Sequence, residues 1–524
     1  MRRFVWAAGL LLGGCSGSIV YPPGASSGGG ALLSTRVRLL NNVEYDNTVA
    51  ALLGDTTHPG RTFPASDTQS GFSNSATQTV TDLNASAYDT AAQALAQNAV
   101  QNLTALLPCN PTGQEDACAS QFIASFGPKA FRRPLTSDDV SGLTAVYATA
   151  RAHGGNFTTG IQMVIYAVLS SGSFLYVPEL GADGPSGSAV ELNPYEKASA
   201  LSYFILASPP DDALIAAAGN KGLDTPDQLE TQTRRLLQDP RAHAQALRFF
   251  TEWFEIGPST KDATVYPNFR TVGPSFLLET PAFIDDVIFN GDGRLQTLLQ
   301  GNYTFVDANL NTFYGLSGNV TGTALTKVSL AGTPRAGILT HGSWLSRHGD
   351  ATISSPVLRG VFVRRRLLCE TLPNPPAGLN VTPPIISEVK TTRQLFDAHV
   401  SNPACSGCHS LIDPIGNGFE AFDGEGAYRT TENGQPIDST GELAYTKDAN
   451  GNFNGVLDLA NRLAQSNEVK QCFAKMLFRF GSAQTSDATE QELLAEAPPA
   501  MPDSYQDLAV MYVRSKLFRQ RVVP

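Results

Sequence analysis

Cys405, Cys408 and His409 stand in the order Cys-x-x-Cys-His within "NPACSGCHSLIDPIGNGFEAFD", a spacing used by several chemistries. Both thiols can add to the vinyl groups of a porphyrin while the adjacent imidazole takes the iron, which requires all three side chains on one turn. A structural zinc needs four ligands, so Cys369 and Cys472 would have to complete the set from afar. A thiol–disulfide exchange pair would open a helix after a strand in a thioredoxin-like sheet, a pattern that the flanking sequence lacks. A plain structural disulfide between Cys405 and Cys408 is the remaining reading.

The compartment bears on the choice. The stretch "MRRFVWAAGLLLGGCSGS" sets Arg2 and Arg3 before an apolar run from Phe4 to Leu12, the pattern of a secretory signal peptide and too short for a stable membrane-spanning helix. Leu12-Gly13-Gly14-Cys15 resembles the bacterial lipobox, in which Cys15 would be lipidated and become the first mature residue; an ordinary signal peptide with a chance cysteine is the alternative. Several acyl chains make such an anchor durable. The expected location is exported, as a periplasmic, outer-membrane or cell-surface lipoprotein that touches the membrane only through lipid. Haem c is assembled outside the cytoplasm, so export favours one covalent haem c on Cys405 and Cys408, with His409 as axial iron ligand, over a zinc thiolate site.

With Cys15 given to lipid and two thiols to haem, four of the seven cysteines remain. Cys109 and Cys118 flank the polar loop "CNPTGQEDAC" and can close a local disulfide, and Cys369 and Cys472 are left as a second pair. The ligand opposite His409 stays open. A methionine there would raise the potential, a histidine would lower it, and an empty position would admit exogenous ligands. Candidates are His348, His341 and Met476. Met476 lies in the helical "EVKQCFAKMLFRFG", where core packing competes with ligation. His341 and His348 lie among polar loop residues in "ILTHGSWLSRHGDATISSPVLRG", and His399 precedes His409 by ten residues; each also reads as a surface or hydrogen-bonded histidine.

The elements around these residues read as mainly α. In "RLLNNVEYDNTVAALLGD" Tyr45, Val49, Leu52 and Leu53 recur at helical spacing and Gly54 supplies the stop. Further helices are expected at Asp82–Leu107, Cys118–Phe126 and Ser137–His153, and at "LNPYEKASALSYFILAS", where Asn193, Pro194 and Glu196 form an N-terminal capping signature. Three short helices are expected between Ser275 and Leu316. The proline-rich stretch from Leu372 to Ile385 reads as a linker, and "AYTKDANGNFNGVLDL" as an Asn-Gly hairpin, since Phe453 and Leu459 replace the glycine and glutamate of a calcium loop. The expected organisation is a signal peptide and lipobox at 1–15, a tether at 16–34, helical modules at 35–107, 108–158 and 159–322, a cytochrome-type module at 323–432 and a C-terminal helical module at 433–524. With 37 basic and 48 acidic residues the formal net charge is −11, which argues against nucleic acid as a partner and suits a basic redox protein or a neutral substrate.

The sequence resembles the modular planctomycete cytochrome c domain proteins over nearly all of the mature chain. The blocks that carry the likeness are "RLLNNVEYDNTVAALLGD", "FGPKAFRRPLTSDD", "ASALSYFILASPPDDALIAAA" with "FTEWFEI", "SSPVLRGVFVRRRLLCETLPNPP" with "ACSGCHSLIDPIGNGFEAFDGEGAYR", and "KQCFAKMLFRFG". Ile412 stands where the family often has methionine, so that position supplies no ligand. The resemblance implies a mainly α, multi-module helical body with a C-terminal mono-haem c-type segment and a short β-hairpin, engaged in electron transfer or in oxidation of a substrate coupled to it. The rival readings are a haem enzyme with an open axial site and a non-haem surface-binding protein with a Cys405–Cys408 disulfide. Asp413, Glu420, Asp423 and Arg429 are candidates to orient the haem or meet its propionates, as are Arg132, Arg133 and Arg364 to Arg366; helix capping and solvated faces explain them equally well.

Overall fold

A computed structural model describes residues 32–372, 389–401, 403–484 and 486–524. The leader, Cys15, the tether through residue 31 and residues 373–385 of the expected linker lie outside them. Residues Leu32–Pro524 form one compact unit. It is mainly α, with five two-stranded antiparallel pairs among the described residues. No helix among those residues is long and apolar enough to cross a membrane. Positions 32–34, the end of the expected tether, are tied down: Leu33 is buried and Ser34 bridges Val522.

Local signals set most helix ends. Asn41 caps the helix Asn42–Leu53 in a capping box with Glu44, and Gly54 closes it in the left-handed region at φ 68°. Asn193 and Glu196 do the same for Pro194–Leu206, with Pro194 at the first helical position. Two elements run further than expected. The helix Glu115–Phe131 runs through Pro128, and the first of the three expected short helices is the 17-residue Phe269–Asp285, with Pro274 and Pro281 inside it. Burial of Phe276 and Phe283 on one face outweighs the two lost hydrogen bonds. The long expected helix from Asp82 ends at Ala99, followed by a 3₁₀ turn and the short helix Leu103–Leu106.

The apolar core does not follow the expected module boundaries. One buried cluster gathers residues from Leu39 to Phe174, including Phe122, Ile161 and Val164, so the modules expected at 35–107 and 108–158 share a core with the start of the next. A larger cluster takes Leu33, Phe72 and residues from Ala198 to Phe518, joining the central, cytochrome-type and C-terminal segments. The segments at the two ends of the compact unit meet its centre through short strands. Arg36–Leu39 pairs with Tyr176–Glu179, and Gln520–Val522 pairs with Ala189–Glu191. Glu179, buried between them, accepts from Arg36 and Arg521. Burial alone would raise its pKa, but the two guanidinium groups hold it well below the carboxylate range.

Two disulfides are present among the described residues. Cys109 is bonded to Cys118, and Cys369 to Cys472. The second joins the end of the π-helical turn Val363–Leu367 to the helix Asn467–Ser482, whose Cys472 and Met476 are buried.

The hairpin near Asp448 forms between Thr440–Leu443 and Gly451–Asn454, but the loop 444–450 connects it and Gly451 opens the second strand. The two-residue Asn-Gly turn occurs instead at Asn433–Gly434, both at positive φ, between Thr431–Glu432 and Gln435–Pro436. Asp448 receives Ser466 Oγ and the Asn467 N–H at the start of the helix Asn467–Ser482.

Candidate functional site

Cys405, Cys408 and His409 all lie on the helix Pro403–Gly416. Spacings of three and one place the two sulfurs and the imidazole within one turn, on neighbouring parts of its surface. Both cysteines are unbonded and half-buried. One turn further on, Asp413 turns both carboxylate oxygens to His409 Nδ1, at 3.0 and 2.9 Å. The Asp413 side chain is 5% exposed and that of His409 20%. With a carboxylate as acceptor, Nδ1 carries the proton and Nε2 the lone pair that a metal takes.

The helix is seated by its backbone. A Cβ at Gly360 would overlap Ile412 O, and one at Gly416 would overlap Pro356 O, so glycine is what lets Pro356–Phe362 and Pro403–Gly416 approach this closely. Arg364 donates from Nε to Leu411 O at 3.0 Å and from Nη2 to Ala444 O at 2.7 Å. Arg359, with no exposed side-chain surface, binds four carbonyls: Phe419 O, Phe422 O, Leu345 O and Asp423 O, at 2.7–3.3 Å. Burial draws its pKa down to about 10, opposed by the nearby carboxylate of Glu420.

Several expected contacts are used elsewhere. Arg132 is buried and donates to Ala130, Phe174, Ser173 and Tyr176 carbonyls; Arg133 pairs with Asp139. Arg366 binds the carbonyls of Trp253, Ser70 and Glu252. Of that run only Arg365 is exposed. Glu420 is buried against Arg359 and Arg429, and Asp423 Oδ1 accepts three successive backbone N–H groups from Glu425 to Ala427. These groups act as struts of the fold. Asp413, read as a candidate to orient the haem or as a cap before Pro414, sits inside the helix and orients His409; the i, i+4 spacing was the available signal.

The distal candidates are also committed to the core. His341 is 1% exposed, with Nδ1 at 2.9 Å from Thr280 Oγ1 and Nε2 at 3.4 Å from Thr304 Oγ1. His348 is buried, with Nδ1 at 3.0 Å from Trp344 O and Nε2 at 3.2 Å from Glu255. Both flank the short helix Gly342–Arg347 rather than lying in an open loop. Met476 is fully buried in the larger core. The side chain of His399 lies outside the description. Cys369 and Cys472, which a zinc reading would need, are bonded to each other. Among the described residues no three His, Cys, Asp or Glu side chains gather to hold a metal ion.

Sequence reasoning missed a buried polar cluster behind His341. Glu279, fully buried, accepts from Thr304 Oγ1 and Tyr314 OH, each at 2.7 Å. Burial raises the Glu279 pKa to about 7 and lowers that of His341 to about 3. Their 3.9 Å approach is therefore largely a contact of neutral groups below pH 7 rather than an ion pair. The raised carboxyl contributes stability that is complete below about pH 4.5 and lost as pH rises to about 7; the depressed imidazole contributes stability lost as pH falls from about 6.5 to about 3. The two slopes oppose each other between about pH 4.5 and 6.5. Glu279→Gln is expected to unmask the histidine. Relative to the wild type, its unfolding free energy should rise by on the order of 3 kcal/mol from pH 4.5 to 7. Parallel denaturant-derived stability curves would contradict this.

A cleft of about 930 Å³ opens beside Asp413, lined also by Arg393, Asp397, Asn417, Glu442 and Asp458. It joins the Cys-x-x-Cys-His helix to the hairpin Thr440–Asn454.

The match of residues 335–432 to the PSCyt3 model makes this a cytochrome-like protein by family likeness, and the disulfides fit an extracytoplasmic location. Four family models match in succession: PSD3, a protein of unknown function (DUF1587), over residues 38–101; PSD5, likewise (DUF1595), over 118–179; PSD4 (DUF1592) over 192–316; and PSCyt3 (DUF1588) over 335–432. They cover more than half of the chain, which belongs to the multi-module planctomycete cytochrome c domain family. No curated protein and no solved structure matches it.

Proposed function

We propose that this protein is an exported, lipid-anchored c-type cytochrome that transfers electrons, with one haem bound through thioether bonds from Cys405 and Cys408 and ligated at iron by His409. The observation that carries the reading is the division of the six described cysteines. Four are paired in disulfides, and the two left as thiols stand three apart on one helix beside a histidine whose Nδ1 is held by a carboxylate. That donor set fits haem c, and among the described residues it is not joined by the further ligands that zinc requires. When bound, the haem supplies a one-electron couple. The chain's own contribution is attachment at two sulfurs, orientation of His409 by Asp413, and a helix held in place by Arg364 and the glycine contacts, with the segment that follows it gathered by Arg359. Cys15 is the proposed lipid anchor, and the acidic balance favours a basic redox partner over nucleic acid.

A second reading, an iron open opposite His409, is favoured by the burial of His341, His348 and Met476. The test is a visible spectrum, oxidised and dithionite-reduced, of protein from a host with haem c maturation machinery. A c-type α band at one haem per chain is expected, and a spectral shift with carbon monoxide marks the open site. A colourless protein from a competent host contradicts the proposal, and an unshifted spectrum removes the second reading.

A further inference from the structure

We infer that Asp413 is a tuning residue that strengthens His409 as an electron donor to iron and thereby holds the reduction potential low; this rests on the haem reading above. A carboxylate accepting from the imidazole Nδ1–H pulls the proton toward itself and leaves more electron density on the other ring nitrogen, which favours the more oxidised metal. A charged acceptor does this more strongly than a neutral carbonyl or water.

Three observations give the interaction weight here. Both Asp413 oxygens lie within 3.0 Å of Nδ1, so rotation of the carboxylate does not break the contact. The Asp413 side chain is 5% exposed, which limits screening by water. The helix carrying both residues is clamped on either side of Asp413, by Gly360 against Ile412 and by Gly416 against Pro356, so the spacing cannot relax easily.

The experiment is a potentiometric titration of the haem-loaded wild type, Asp413→Asn and Asp413→Ser, with haem content and thermal unfolding measured alongside. Asparagine keeps a neutral acceptor at the same place, and serine removes the carboxylate from Nδ1. Either substitution is expected to raise the equilibrium constant for reduction at least tenfold, about 59 mV for a one-electron couple, at unchanged haem stoichiometry. A purely structural role would alter unfolding without moving the potential. If one variant does not fold, the other decides. Wild-type potential in a loaded variant overturns the inference and leaves the haem reading intact. Absence of haem from the wild type itself overturns the reading, and the inference with it.

Discussion

Replacing Cys369 and Cys472 together by serine is expected to lower the unfolding free energy by about 4 kcal/mol, through the loop-closure entropy restored to the unfolded chain. The bond spans 103 residues, among the larger loops a single domain closes, and that loop encloses the whole Cys-x-x-Cys-His helix, the cleft and both hairpins around it. Cys472 is buried beside Phe473 and Met476, so the two hydroxyls also enter an apolar site. Chemical denaturation with and without the bond measures the effect. A change below about 1 kcal/mol would mean that the unfolded chain is already constrained in this region. The bond between Cys109 and Cys118 closes a separation of only 9, and its removal should cost less.

Arg359→Met is expected to cost about 3–5 kcal/mol and to loosen the segment after the haem-site helix. The guanidinium has no exposed surface and gathers carbonyls from Leu345, Phe419, Phe422 and Asp423, groups that methionine leaves unsatisfied. It also leaves buried Glu420 with Arg429 as its nearby cation. Burial already raises the Glu420 pKa, so its carboxyl should protonate more readily in the variant. Amide hydrogen exchange would register the loosening over residues 417–427 before global unfolding. Exchange as slow as in the wild type would show that these carbonyls find other donors.

Much of the fold was legible from local chemistry. Asn193 with Pro194 and Glu196 announces a helix start by side chains that satisfy the first backbone N–H groups, and Gly54 announces a helix stop, whereas the Asn41–Glu44 box was left unread. The even cysteine count, once Cys15 and the Cys-x-x-Cys pair are set aside, left two pairs, and the structure joins Cys109 to Cys118 and Cys369 to Cys472. Other features depend on contacts far along the chain. His341 and His348 read as loop residues because Gly, Ser and Thr surround them. Their burial is supported by partners distant in sequence: Thr280, which joins His341 to Ser343, and Glu255, which meets His348. Arg364 and Arg366 read as solvated or propionate-binding charges, yet their acceptors include Leu411, Ala444 and Ser70, which no local pattern links to them.

At the site the motif itself was plain, and its support was less so. Cys405, Cys408 and His409 announce themselves by spacing, whereas Asp413 stood as one of several haem-orienting candidates or a cap, its place one helical turn after His409 unread. The seating of their helix depends on Gly360 and Gly416, where the informative property is the absence of a side chain opposite a backbone carbonyl. Proline did not end helices at three positions. Pro128, Pro274 and Pro281 all lie inside helices whose buried faces outweigh the local cost.

The central claim is covalent attachment of one haem at Cys405 and Cys408, and the most direct measurement is mass spectrometry of the intact protein and of the peptide containing Pro403–Gly416, after expression with haem c maturation machinery. The account predicts one haem added per chain, located on that peptide, with both thiols consumed and no addition in a Cys405→Ser, Cys408→Ser double variant. A peptide of unmodified mass, or one lighter by two hydrogens from a Cys405–Cys408 disulfide, would contradict it.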